Sequence, residues 1–173
     1  MEKVNIPTEW ISSMVVVSTP SKMRISLDPQ DLNKVVICPK YQMPTLDELL
    51  PKLSKAKEFT TLDAKDGFYQ VGLDEQSSLK TTFWTPFGCY KHLRLPFGIN
   101  LAPEEFERKL HEKLEGLPGV AVIRDDILLT GCRENKDDTN RNHEQNLTRL
   151  LEQAHKANLP LNSSKMNLPK TEV

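Results

Sequence analysis

The stretch VAVIRDDILL, Val120 to Leu129, sets two adjacent carboxylates, Asp125 and Asp126, inside an otherwise apolar run. Val120, Val122, Ile123, Ile127, Leu128 and Leu129 read as a buried β-ribbon. Charges in the middle of such a ribbon cost several kcal/mol unless something pairs with them, and a divalent cation is the strongest such partner. Asp-Asp is also good turn chemistry, so the pair alone reads equally well as a plain hairpin tip. The segments on either side carry the decision.

Upstream, Phe59 to Leu62 (FTTL) reads as a strand whose end carries Asp63 and then Asp66. If that strand and the ribbon are neighbours in one sheet, Asp63, Asp125 and Asp126 converge on one edge. Three carboxylates without His or Cys favour hard, oxygen-seeking cations, so Mg²⁺ is the expected occupant and Mn²⁺ its substitute. Two such ions about 3.5–4 Å apart suit in-line phosphoryl transfer. An acid/base dyad is the rival use of paired carboxylates. It asks for two separated environments, not two adjacent residues at a tip.

Farther out, Trp10 to Val17 reads as a strand and Met23 to Leu27 as its partner, with Pro29 opening a short helix around Leu32. A helix is expected over Pro44 to Lys55, with Thr45 and Glu48 in capping-box spacing. After Gly67 the run FYQVGL alternates like a strand. Thr81 to Thr85 and Tyr90 to Leu95 read as a hairpin around Pro86-Phe87-Gly88. Pro103 opens a helix reaching Leu114, and Gly116 to Gly119 stops it. Glu134 to Arg141 reads as a polar loop, followed by helical spacing from His143 to Ala157. Hairpins interleaved with helices point to an α+β fold. Because the chain starts in a strand pattern and stops without a cap, it reads as a piece of a larger architecture.

Composition narrows the classes. The 173 residues are 38% apolar and 27% charged, with net charge -1 and a mean hydropathy of -0.49. No apolar run approaches the ~20 residues of a membrane span, and MEKVNIPTEW lacks a signal-peptide core. The expectation is a cytoplasmic or nuclear protein, not secreted and without a membrane partner. Cys38, Cys89 and Cys132 are scattered, which fits a reducing compartment and no structural zinc. A pI of about 6.4 counts against a simple nucleic-acid module. Any such contact needs a local basic strip, and Lys52, Lys55 and Lys57, or Lys91 with Arg94, are the candidates.

Four segments in order, FTTLDAKDGFYQV, TTFWTPFGCYKHLRLPFGINLAPEEF, VIRDDILLTG and LPLNSSKM, resemble the polymerase motifs of reverse transcriptases from gypsy-like long-terminal-repeat retrotransposons. TEWISSMVVV and MRISLDPQDLNK resemble the fingers segment of the same family. The resemblance implies a right-hand polymerase with an antiparallel palm sheet and packed helices. It divides the chain into fingers at 1–36 and 73–96 and an incomplete palm at 37–72 and 97–173. Thumb and ribonuclease H are expected outside these residues, so the chain alone should grip duplex weakly. The implied function is RNA-directed DNA synthesis by two-metal nucleotidyl transfer. Its partners would be an RNA or DNA template-primer, deoxynucleoside triphosphates and the rest of a Pol polyprotein.

By position, the resemblance makes Asp63, Asp125 and Asp126 the metal ligands and Lys165 the donor of a proton to leaving pyrophosphate. Arg24 would hold the triphosphate, and Phe68 would screen the sugar 2′ position. Pro96, Phe97 and Gly98 would lie under nucleotide and template. Read without the family, these are an exposed strand arginine, a core aromatic, a loop and a surface lysine. The family usually has Tyr and a moderate apolar residue before Asp-Asp, where this chain has Ile123 and Arg124. At ~4 Å and an effective dielectric of ~20, a cation at 124 would compete with a metal by about 4 kcal/mol. The alternative function is therefore an inactive transposon remnant or a non-enzymatic interaction module.

Overall fold

The computed structural model describes residues 1–19, 22–37, 54, 56–132 and 136–170. The helix expected at 44–55, with Lys52 and Lys55, lies outside the described residues, Ser54 apart. Along the chain the strands and helices are β1 (Glu2–Lys3), β2 (Ser13–Thr19), β3 (Lys22–Asp28), α1 (Gln30–Val35) and β4 (Glu58–Asp63), then α2 (Glu75–Lys80), β5 (Phe83–Thr85) and β6 (Gly88–Lys91), then α3 (Ala102–Leu114), β7 (Val120–Ile123), β8 (Asp126–Gly131), α4 (Lys136–Lys156) and β9 (Asn167–Lys170). They form two compact units, Met1–Lys40 with Asp66–Phe106, and Tyr41–Lys65 with Glu107–Val173.

In the first unit, β2 and β3 pair as an antiparallel ribbon, and a separate sheet has the order β1-β6-β5. The foot of the ribbon is anchored: Leu27 is buried and donates its N–H to the Phe97 carbonyl at 2.8 Å. Residues 68–73 depart from the expected strand. Asp66 takes a left-handed φ of 57°, Gly67 also has positive φ, and the chain coils into a 3-10 turn over Gly67–Gln70. Alternation of Tyr69, Val71 and Leu73 survives in sequence only.

The expected hairpin is shorter at both ends. Thr81 and Thr82 turn their hydroxyls onto the Ser78 and Leu79 carbonyls at 2.7 and 2.6 Å, closing α2 before β5 begins. The helix α2 is itself unforeseen. Its signal is Asp74, whose carboxylate accepts from the Ser77 N–H at 2.7 Å. Lys91 is no surface cation. Its side chain is buried and paired to Glu75 at 2.5 Å and Glu2 at 3.4 Å.

The second unit is an antiparallel sheet in the order β7-β8-β4-β9. β8 lies inside it and is buried continuously from Ile127 to Gly131, which explains its unbroken apolar run. β4 alternates, with Glu58, Thr60 and Leu62 turned inward. α4 covers β8 and β4. It begins at Lys136, well before the expected start, so the polar stretch from 136 is helix and not loop. Its buried stripe is Thr139, His143, Asn146, Leu150 and Ala154. His143 Nε2 and Thr60 Oγ1 form a hydrogen-bonded pair at 3.0 Å, and Asn146 donates to the Thr130 carbonyl at 3.0 Å. No helix among the described residues is long and apolar enough to cross a membrane.

Candidate functional site

The carboxylates gather because of strand register. β4 and β8 run antiparallel with Asp63 directly opposite Asp126, and β7 returns with Ile123 opposite Asp126. Directly opposed residues share a face, with Cβ atoms about 4.5–5.5 Å apart. Arg124 and Asp125 alone make the turn between β7 and β8. Such two-residue loops need positive φ, and Arg124 supplies it at 56°, a conformation that costs a side-chain-bearing residue about 1–2 kcal/mol. Asp125 is thereby set beside Asp126 at the sheet edge.

The electrostatics register the crowding. The Asp125 carboxyl is pushed above the ordinary aspartate range by burial first, then by Asp126 and Asp63, with Arg124 opposing. Lys165 joins this group. The backbone N–H of Asn162 bonds the Asp63 carbonyl at 2.8 Å, and a 3-10 turn over Ser163–Lys165 follows. That turn brings Lys165 Nζ to 2.5 Å from Asp63 Oδ2. With Asp63 held by an ammonium, no set of three or more His, Cys, Asp or Glu side chains is already gathered as a metal cage among the described residues. The donors are oxygen-only and suit a hard cation, but Asp63 must turn from Lys165 to join them.

Arg124 is exposed, and its guanidinium makes no ion pair within 4 Å of a described carboxylate. Its competition with a metal is accordingly weaker than expected from a close pair. One residue of this site escaped the sequence reading. Glu107 on α3 is 3% exposed. Burial chiefly raises its pKa, with Asp125 adding to the effect. The available signal was a carboxylate between Phe106 and Leu110 on the apolar stripe of its helix.

The remaining candidates meet in the first unit. Arg24 Cζ lies 4.7 Å from the Phe97 ring centroid, and the Phe68 ring stands 4.8 Å from Phe97 and 5.8 Å from Phe106. Tyr69 closes the group, edge-on to Phe97 at 5.5 Å, its hydroxyl donating to the Ile25 carbonyl at 3.2 Å. Gly98 has φ of 106°, and a Cβ there would fall 1.8 Å from the Leu27 carbonyl oxygen. Asn33 clamps the same loop, donating to the Gly98 carbonyl at 2.9 Å and accepting from the Asn100 N–H at 3.0 Å. Pro96 is fully buried, so Phe97 and Gly98 are the members of that trio that offer a surface.

Comparison with known proteins bears on both groups. The sequence profile described as "Reverse transcriptase (RNA-dependent DNA polymerase)" matches residues 6–173. The retrovirus-related Pol polyprotein from transposon 412 of Drosophila melanogaster is 34% identical over 158 residues, 90% of this chain and 12% of that protein. The Pol polyprotein from transposon gypsy of the same species is 35% identical over 156 residues, 89% of this chain and 14% of the relative. The chain thus spans about an eighth of the length of these curated relatives. Among solved structures, the foamy viral protease-reverse transcriptase in complex with double-stranded DNA superposes with a TM-score of 0.82 at 24% identity, covering 98% of this chain and 29% of that one. A further structure of the foamy viral protein, with an RNA/DNA hybrid, gives 0.78 at 23% identity. Both likenesses are of fold.

Proposed function

The chain belongs to the reverse transcriptase (RNA-dependent DNA polymerase) family, and from that premise we propose that its carboxylate edge is the catalytic centre of template-directed DNA synthesis. The observation that carries this reading is the register of Asp63 against Asp126 with Asp125 in the adjoining turn. Three mutually repelling carboxylates at one sheet edge are the arrangement that a divalent cation neutralises.

Asp63, Asp125 and Asp126 would hold Mg²⁺, or Mn²⁺ in its place. The bound ions would supply charge neutralisation on the transferring phosphate and acidify the attacking primer hydroxyl. Lys165, already on Asp63, keeps an ammonium at the edge where pyrophosphate departs and passes it a proton. In the first unit the planar Arg24 fork receives triphosphate oxygens, steadied by the Phe97 ring. Phe68, fixed between Phe97 and Phe106, screens the 2′ position and so favours deoxynucleotides. Gly98 lets the loop carrying Phe97 lie against Leu27. The foamy viral structures hold double-stranded DNA and RNA/DNA hybrid, and a template-primer duplex is the partner we assign here.

The test is primer extension on an RNA template with deoxynucleoside triphosphates and Mg²⁺, the protein in excess over primer-template. Extension that requires the metal and falls about 10²-fold or more in Asp126→Asn supports the reading. Extension untouched by Asp126→Asn contradicts it. A wild-type chain that binds duplex without extending it would instead be a non-enzymatic member of the family.

A further inference from the structure

The β2–β3 ribbon is two strands wide, and its Val15, Val16, Val17 and Met23 are exposed. Two strands alone hold a side chain loosely. Arg24 nevertheless stands in the middle of β3 with its Cζ over the Phe97 ring, so the strand has to be tied to that ring. One tie is the Leu27 N–H on the Phe97 carbonyl, with Ser26 bridged to Phe97 in parallel sense. Residues two apart in a strand turn their backbone polar groups to the same edge, so the Ile25 carbonyl lies on the edge that Leu27 uses. That carbonyl accepts from the Tyr69 hydroxyl at 3.2 Å. The Tyr69 ring meets Phe97 at an interplanar angle of 81°, and Tyr69 follows Phe68 in the 3-10 turn Gly67–Gln70. A phenylalanine would keep the ring contact and lose only the bond to β3.

We propose that Tyr69 is a positioning residue: its hydroxyl ties β3 to the turn that carries Phe68 and so holds Arg24 in register with the Phe68 and Phe97 rings. This rests on the reading of Arg24 as the triphosphate ligand. Triphosphate and sugar belong to one nucleotide, so the residue that grips the first and the ring that screens the second must keep a fixed spacing. The tie is made to a backbone carbonyl one residue from Arg24, and Tyr69 acts through that arginine.

Tyr69→Phe, Arg24→Ala and the double variant test this in primer extension. Tyr69→Phe is expected to raise the KM for deoxynucleotide about three- to tenfold with kcat held. In the Arg24→Ala background the same change should move KM by less than about twofold, because the guanidinium it positions is gone. An unchanged KM in Tyr69→Phe overturns the proposal, as does a full-sized effect that persists without Arg24. A wild-type KM in Arg24→Ala refutes the reading of Arg24 instead. If the wild-type chain extends no primer, affinity for inorganic tripolyphosphate with Mg²⁺ replaces KM. Hydrogen exchange at the Leu27 amide reads the tie without any ligand. It should accelerate about threefold or more in Tyr69→Phe, while the Ser12 amide, bonded to the Thr82 carbonyl at 2.9 Å, stays unchanged as the folding control. Unchanged Leu27 exchange also overturns the proposal, whatever becomes of Arg24.

Discussion

Arg124 and His92 show how single positions depart from what their types would forecast. At Arg124 the side chain opposes the backbone's left-handed φ of 56°. Arg124→Gly removes that cost and also removes a cation that holds the Asp125 pKa down. The expected result is a gain of about 0.5–1 kcal/mol, or a few degrees in Tm, with Mn²⁺ binding tightened severalfold. A lower Tm together with weaker Mn²⁺ binding would refute this. His92 is 3% exposed, its ring lies 5.0 Å from Phe83, and its Nε2 is buried without a hydrogen-bond partner. Burial depresses its pKa to about 4. A histidine depressed in the fold contributes stability present above its unfolded value near 6.5 and lost as pH falls toward 4. Tm should therefore drop across that window, by about 2–4 °C for each kcal/mol lost, and His92→Phe should flatten the drop. An equally steep acid profile in His92→Phe would clear His92 of the effect.

At the scale of elements, the loop that carries Phe97 depends on one glycine. Gly98→Ala places a methyl 1.8 Å from the Leu27 carbonyl in a φ region that alanine avoids. The loop must then leave β3, breaking the Leu27-to-Phe97 hydrogen bond. A loss of about 2–3 kcal/mol is expected, read as a fall in the urea midpoint with unchanged slope. A midpoint equal to wild type would contradict this account of the loop. The ribbon around Asp125 was legible because its apolar residues are continuous, and Asp63 because it ends an alternating strand. Other elements hid for physical reasons. The buried face of α4 opens with Thr139, His143 and Asn146, whose burial is compensated by Thr60 and the Thr130 carbonyl for two of them. Polar residues satisfied inside a core look like loop in a sequence. Residues 68–73 misled in the opposite sense, since their alternation is overridden by two successive positive φ values just before them, at Asp66 and Gly67. Glu107 was passed over because nothing local distinguishes a carboxylate buried on the apolar stripe of α3 from the exposed acidic residues around it.

Across the whole molecule, the expected site residues sort by unit. Asp63, Asp125, Asp126 and Lys165 belong to one, and Arg24, Phe68, Phe97 and Gly98 to the other, although Asp63 and Phe68 are only five residues apart in the chain. The carboxylate group is complete within its own unit, so its central property can be measured without primer, template or nucleotide. That measurement is Mn²⁺ binding by electron paramagnetic resonance, on wild type, Asp63→Asn, Asp126→Asn and the exposed Asp66→Asn. We predict that wild type and Asp66→Asn bind Mn²⁺ alike and that Asp63→Asn and Asp126→Asn each weaken binding at least about tenfold. Equal Mn²⁺ affinity in all four proteins would contradict the assignment of the β4–β8 edge as a metal-dependent catalytic centre.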